Sequence, residues 1–300
     1  MPLSRRDFTC TTLASAASLG WLALAHPRAH AQGTQRAITV SLSLEPTTLD
    51  PTTSASASIG EVVHYNVLEG LTRIEENGTV SPLLAKAWSR SPDGRTYTFL
   101  LQQDVLFHDG APFDASAVKF SFERAKAPDS TNKAKKVLFD HITAIDTPDP
   151  HTVVLHIDHA DGNLLFRLGE NTAVILHPSS AGMAATQPVG TGPYRFASWK
   201  KGTGITLTRH AAARRAAQAR IPEVTFRFLN EPQAQAAAVM SGEVDMLFNI
   251  APQNLAQFQN AQHYQVMVGA SNGKGLLAIN NKRKPLNDVR VRRAITHAID

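Results

Sequence analysis

The sequence is 300 residues long, 43% hydrophobic and 18% charged, with a net charge of +5. That length suffices for two domains and a sizeable core. The basic residues are dispersed, in no more than short runs such as Arg214-Arg215 and Lys282-Arg283-Lys284 and without interleaved aromatics, so no nucleic-acid surface is expected. The single cysteine, Cys10, falls in the leader described next, which excludes a disulfide, a thiolate nucleophile and a cysteine-ligated metal from the rest of the chain.

Residues 1–31 read as a twin-arginine signal peptide. Ser4-Arg5-Arg6-Asp7-Phe8 is the twin-arginine motif, an apolar run follows from Thr11 to Ala25, and Ala29-His30-Ala31 is a small-x-small cleavage site. The apolar run is shorter than the roughly 20 residues a bilayer needs, which favours a removable signal over an anchor. The mature chain is expected to start at Gln32, with no lipid-bearing cysteine, free in the periplasm and monomeric.

A short strand is expected from Ala37 to Val40. Glu45-Pro46-Thr47-Thr48-Leu49-Asp50-Pro51 then makes a corner leading into the small polar run Thr52 to Ser58. Ile59, Val62, Val63 and Leu68 have helical spacing, with Tyr65 and Asn66 placed inside that helix and Ser56 or Ser58 as its cap. Over Pro82 to Arg124 the pattern predicts helix, turn, strand, strand, turn and helix. Leu83, Leu84 and Trp88 give the first helix, Ser91-Pro92-Asp93-Gly94 a turn, and Tyr97, Phe99 and Leu101 an alternating strand. Phe107-His108-Asp109-Gly110 marks a second turn, and Asp114 caps a helix that buries Val118, Phe122 and Ala125.

Ile142 to Ile145 and His151 to Ile157 read as a hairpin. His151, His156 and His159, with Asp158 and Asp161, suggest a metal site, but His151 and His156 are an odd number of residues apart and point to opposite faces of a strand. Surface histidines explain them better, and no metal or other cofactor is expected. Pro188-Val189-Gly190-Thr191-Gly192-Pro193-Tyr194 places two glycines around a threonine, fit for a tight chain crossing. It is no dinucleotide fingerprint, because a proline and a strand follow. That strand runs through Phe196 and Trp199, with Ile205 to Leu207 as its partner. The Ala- and Arg-rich run His210 to Arg220 reads as a polar helix or an exposed loop. Val224, Phe226 and Phe228 restore strand alternation; Asn230 caps a helix through Met240, which Gly242 ends. Gly242 to Met246 and Gly275 to Asn280 read as strands, and Pro285-Leu286-Asn287-Asp288 caps a last helix.

The ordered set Leu84, Ala85, Trp88, Asp93, Gly94, Thr96 to Phe99, Phe107 to Gly110, Pro112 and Arg124 closely resembles the signature segment of the periplasmic solute-binding proteins that serve peptide, nickel and related ABC importers, family 5 of the bacterial extracellular solute-binding proteins. The Leu49-Asp50-Pro51 corner, Leu68-Glu69-Gly70-Leu71, Gly190 to Tyr194, Gly242-Glu243-Val244-Asp245 and Asn280 to Ala294 extend the resemblance over almost all of the chain after the leader. The resemblance implies an α/β, two-lobed periplasmic-binding-protein fold (type II, large peptide-binding class). Residues 32–265 would be a nearly complete first lobe with 76–187 as its inserted subdomain, and 266–300 the start of a truncated second lobe. Relatives continue for roughly another domain, so the 300-residue chain alone is expected to bind poorly.

The resemblance further implies capture of a small solute, a peptide first, with a metal chelate, opine, sugar or glutathione as other possibilities, for delivery to an ABC permease in the inner membrane. Its candidate ligand contacts are Thr53, Ser54, Ala55 and Ser56 after the corner, Lys133 and Lys136 for an anionic group, Asn171, Thr191 and Gly192, and Asn249 and Ile250. A helix start after the corner would also offer free N–H groups to a carboxylate. The competing reading is a twin-arginine-exported enzyme. Against it stand the missing cysteine and the absence of G-x-S-x-G, H-E-x-x-H and phosphate-loop motifs. A truncated, non-binding remnant is the third reading.

Overall fold

A computed structural model describes residues 37–54, 56–259, 263–269 and 277–299. The expected leader with Cys10, the candidate Ala55, and Gly275 and Leu276 of an expected strand lie outside the described residues. Eleven strands and six α-helices are found among those described, in a chain that divides into two compact units. The first takes Pro46–Lys200 and Ile205–Thr225; the second takes Thr39–Glu45, Lys201–Gly204 and the chain from Phe226 onward. No helix of the described residues is long and apolar enough to cross a membrane.

In the first unit, α1 (Ala57–Val63) precedes a two-stranded ribbon of β2 (Thr72–Ile74) and β3 (Val80–Pro82). A four-stranded antiparallel sheet follows, made of β4 (Ala85–Arg90), β5 (Thr96–Leu101), β6 (Ile142–Asp149) and β7 (Thr152–Ile157) in the order β4-β5-β7-β6. The alternation foreseen for β5 is real. Tyr97, Phe99 and Leu101 are buried, and the register sets Tyr97 opposite Leu155 and Phe99 opposite Val153, so one face of both strands is apolar. Against it packs α2 (Ala115–Lys126), which buries Ala117, Val118, Ser121, Phe122 and Ala125. Phe99, Phe107, Phe122 and Phe139 fill the core between them. Asp114 caps α2 as expected, accepting from the N–H groups of Ser116 and Ala117 at 2.8 and 3.2 Å.

Leu83 to Trp88 is not a helix. Ala85 to Arg90 is strand β4, paired with β5 through Trp88 opposite Phe99 and Arg90 opposite Tyr97, with a bulge between Ala85 and Ala87. The Leu83 and Ala85 N–H groups donate to Leu71, and Leu84 accepts from Gln102, so sheet partners take the backbone groups a helix would need. So short an apolar run carries little periodic information, and the turn at Ser91–Gly94, with Gly94 at φ +71°, commits both arms to a hairpin. The helix expected through Leu68 stops at Val63. Tyr65 adopts φ 60° and Leu68 pairs back to His64, which takes Tyr65 and Asn66 out of the helix. After β5 there is only an isolated bridge, Leu106 to Pro112, around the Phe107–Gly110 turn. The short helix α3 (Leu164–Arg167) follows the β6–β7 hairpin.

β8 (Tyr194–Lys200), β9 (Gly204–Arg209) and the start of β10 (Glu223–Phe228) are successive neighbours in the first unit. The run His210 to Arg220 forms no α-helix and follows the loop alternative, mostly exposed and with a 3₁₀ turn at Ala216–Gln218. It is a chain of turns that buries Ala213, Ala216 and Ala219, its alanines packing where charged side chains could not. In the second unit, the end of β10 lies beside β1 (Ile38–Leu42), and β1 pairs in parallel with β11 (Met246–Leu247). α4 (Pro232–Met240) begins at Glu231 with Pro232 in its first turn, rather than at an Asn230 cap, and ends at Gly242 with φ +76°. Glu243 to Asp245 lie outside β11: the Glu243 and Val244 N–H groups turn back to Ala238 instead of joining a ladder. α5 (Pro252–Gln259) had no distinct sequence signal. Leu277 to Asn280 are not in a strand, while α6 (Val289–His297) follows the Asp288 cap as expected.

Candidate functional site

Two buried carboxylates of the first unit organise the candidate site. Asp50, at the corner after Leu49, is 2% exposed. One of its oxygens accepts from the Thr52 N–H and hydroxyl at 2.9 and 2.6 Å, and the other pairs with Arg124 at 2.8 Å. Arg124 also donates to the Thr52 hydroxyl. The arginine that closes α2 therefore clamps the corner 74 residues earlier, a link invisible in a residue-by-residue reading. A buried carboxylate with every oxygen engaged is tolerated where an unpaired one is not.

Glu69, 1% exposed, is the second anchor. It accepts from the Thr191 hydroxyl at 2.7 Å and pairs with Arg215 at 3.1 Å, and its carbonyl accepts from the Ile175 N–H. The Gly190-Thr191-Gly192 crossing is thus held from inside. A Cβ on Gly190 would lie 1.9 Å from the Val67 carbonyl oxygen, and one on Gly192 2.2 Å from that of Asn66, so the close approach requires glycine. His108 seals the same crossing: its Nδ1 accepts from the Gly190 N–H at 3.3 Å and its Nε2–H donates to the Gly192 carbonyl at 2.9 Å. Burial pushes the His108 imidazole down to about 4, only partly offset by its bond to Gly192, with His210 and Arg195 nearby adding to the fall. His64 is likewise pushed down to about 4, chiefly by burial.

On this frame the sequence-derived residues separate into groups. The Thr53 carbonyl accepts from the Thr131 hydroxyl at 3.0 Å, the Asn132 side chain donates to the Thr172 carbonyl at 2.9 Å, and Gly60 of α1 sits directly against the Asn171 amide. The loop with Thr53, Ser54 and Ser56, the segment of Lys133 and Lys136, and Asn171 are therefore neighbours. Thr53, Lys133 and Lys136 are exposed; Ser54, Ser56 and Asn171 are half-buried. Ser56 occupies the N-cap position of α1 without a side-chain bond to its backbone, and its hydroxyl meets that of Ser58 at 2.7 Å. Lys135 differs from its two neighbours, being paired with Asp140. Thr191 and Gly192 are buried, the Thr191 hydroxyl being engaged by Glu69. Asn249 and Ile250 follow β11 in the second unit, Asn249 exposed and Ile250 half-buried. Sequence reasoning missed Asp50, Glu69, Arg124 and Arg215 as a supporting frame, although buried charges in ordered motifs were the available signal.

A small polar hollow of about 170 Å³ is lined by Arg73, Glu75, Ser81, Arg214, Arg215 and Gln218, beside the Glu69 pair. The exposed histidines of the β6–β7 hairpin bond to carboxylates: His156 to Asp146 at 3.0 Å and His141 to Asp158 at 3.0 Å.

Residues 79–300 match the sequence profile of the bacterial extracellular solute-binding proteins, family 5 middle region. Over 258 residues the chain is 27% identical to the glutathione-binding protein GsiB of Salmonella paratyphi A, an alignment covering 85% of this chain and 50% of that protein. It is similar in structure to AgaA of A. tumefaciens R10, solved with agropinic acid (29% identity, TM-score 0.71, 75% of this chain and 46% of that one). It is also similar to the ABC transporter-associated periplasmic binding protein DppA of Helicobacter pylori, solved with the peptide STSA (25% identity, TM-score 0.78, 88% and 56%). The chain spans about half the length of these relatives. With the profile matching well over half of its residues, the protein belongs to the bacterial extracellular solute-binding proteins of family 5.

Proposed function

We propose that this chain belongs to the solute-capturing component of an ABC importer, taking up a peptide or a comparable small solute for a membrane permease, with no chemistry of its own. Its monomeric state, its periplasmic location and export through the twin-arginine motif Ser4–Phe8 are parts of the same reading. Residues 32–265 are assigned to the first lobe, with 76–187 as its inserted subdomain, and 266–300 to the beginning of the second. Thr53, Ser54, Ala55 and Ser56, with Lys133, Lys136 and Asn171, are assigned to the ligand; Thr191 and Gly192 act by shaping the frame, and Asn249 and Ile250 are further contacts.

The observation that carries this reading is that the segments holding a partly exposed hydroxyl-rich loop, two exposed lysines and a half-buried amide are neighbours. Uncharged donors beside ammonium groups suit a zwitterionic or carboxylate-bearing solute. The glutathione, agropinic acid and peptide named for the relatives all carry carboxylates. The test is calorimetric titration of the purified chain with glutathione and with di- and tripeptides. Because the chain spans about half the length of its relatives, weak binding by the wild type is expected, weakened further by Ser54→Trp with Ser56→Trp while the far-ultraviolet spectrum stays unchanged. Affinity indifferent to both substitutions would overturn the assignment of the loop.

A further inference from the structure

The open end of the β6–β7 hairpin gathers three side chains with donor atoms suited to a metal. Ile142 lies opposite Ile157, so His141, just before β6, faces Asp158, just after β7, and the Asp158 N–H donates to the His141 carbonyl at 3.0 Å. From that fixed closure the His141 Nδ1 lies 3.0 Å from one Asp158 oxygen, and the His159 Nδ1 lies 2.5 Å from the other. The two rings stand 4.6 Å apart at 89°, and one ligand atom from each of the three residues falls within 4.8 Å of the others. All three reach solvent, with side-chain exposures of 39%, 47% and 55% for His141, Asp158 and His159, so water can complete a coordination shell.

We propose that His141, Asp158 and His159 form a surface site for a borderline divalent transition-metal ion, of which zinc is the natural probe. Two imidazole nitrogens and one carboxylate oxygen are a three-ligand set that leaves a fourth tetrahedral position for water. Ligand atoms about 2 Å from a tetrahedral zinc are roughly 3.3 Å from one another, so the 3.0 and 2.5 Å contacts to the two Asp158 oxygens must open slightly to admit an ion. The ring Nδ1–H groups now point at the carboxylate. To ligate through Nδ1 each ring takes the tautomer that carries its proton on Nε2, and the side chains open from their hydrogen-bond contacts with the two Asp158 oxygens to admit the ion. Because the hairpin register fixes His141 and Asp158, little ordering is left for the metal to impose. His156 and Asp146, a two-residue pair on the same hairpin, supply a built-in control.

The experiment uses the untagged, chelator-treated chain, titrated with zinc sulfate by calorimetry and checked by native mass spectrometry and thermal melts. One zinc per chain is expected, with a higher melting temperature in excess zinc. His141→Ala with His159→Ala, and separately Asp158→Asn, should each weaken binding by about tenfold or more, while His156→Ala retains it. Three results would overturn the proposal: no zinc retained by the wild type, zinc binding unchanged in the double variant, or binding lost equally in His156→Ala.

Discussion

Glu69 and Arg215 illustrate how much rests on single residues here. The arginine side chain is 12% exposed and the carboxylate 1%, so removing the arginine strands a buried negative charge. Arg215→Ala should destabilise the fold by about 3 kcal/mol or more, read as a lower urea midpoint, and Glu69→Gln in the same chain should recover part of that loss. His64 and His108 give a second prediction. Both sit near 4 in the folded protein, against an ordinary value of 6.5. Between those values the unfolded chain binds protons that the folded chain refuses, so their stabilising contribution is whole above pH 6.5 and is lost as pH falls towards 4. The slope is up to about 1.4 kcal/mol per pH unit for each histidine. Urea midpoints compared at pH 7.5 and 5 should fall in the wild type and fall less in His108→Gln; equal falls would count against the role given to His108.

Among the elements, α2 is the one on which both the core and the corner depend. Its N-terminus is capped by Asp114, its apolar stripe seals the four-stranded sheet, and Arg124 near its C-terminus clamps Asp50. Asp114→Ala should cost about 1 kcal/mol of stability, measured by chemical denaturation, without changing the fold. This element was fully legible beforehand, because a cap, an apolar stripe at i, i+4 and i+7 and a length of three turns all act locally. β4 was not. Leu83, Leu84 and Trp88 satisfy a helical spacing, yet Ala85 to Arg90 pairs with β5, since ladder bonds from a neighbouring strand outweigh a weak periodicity over six residues. Tyr65 and Asn66 were misread for the same reason: a tyrosine hydroxyl donating to Gly169 at 2.6 Å and accepting from the Ile74 N–H rewards leaving the helix, and neither partner is local.

For the whole molecule, solute binding and stability are linked. A ligand that binds only the folded chain should raise its stability by about 2.7 kcal/mol at a hundredfold excess over the dissociation constant, visible as a higher melting temperature with the right peptide or with glutathione. A melting temperature unmoved by every such solute would refute the proposed capture function. The sequence by itself determined the family, the α2 cap and stripe, the β5 and β7 alternation and the need for glycine at the Gly190–Gly192 crossing, because each is written in neighbouring residues or in the order of motifs. Only the tertiary structure decided that Asp50 meets Arg124, that Glu69 meets Thr191 and Arg215, that the segments of Thr53, Lys133 and Asn171 are neighbours, and that His141 faces Asp158. Such pairings depend on where distant strands and loops are brought together by burial of the apolar core, and no local pattern of residues encodes that distance.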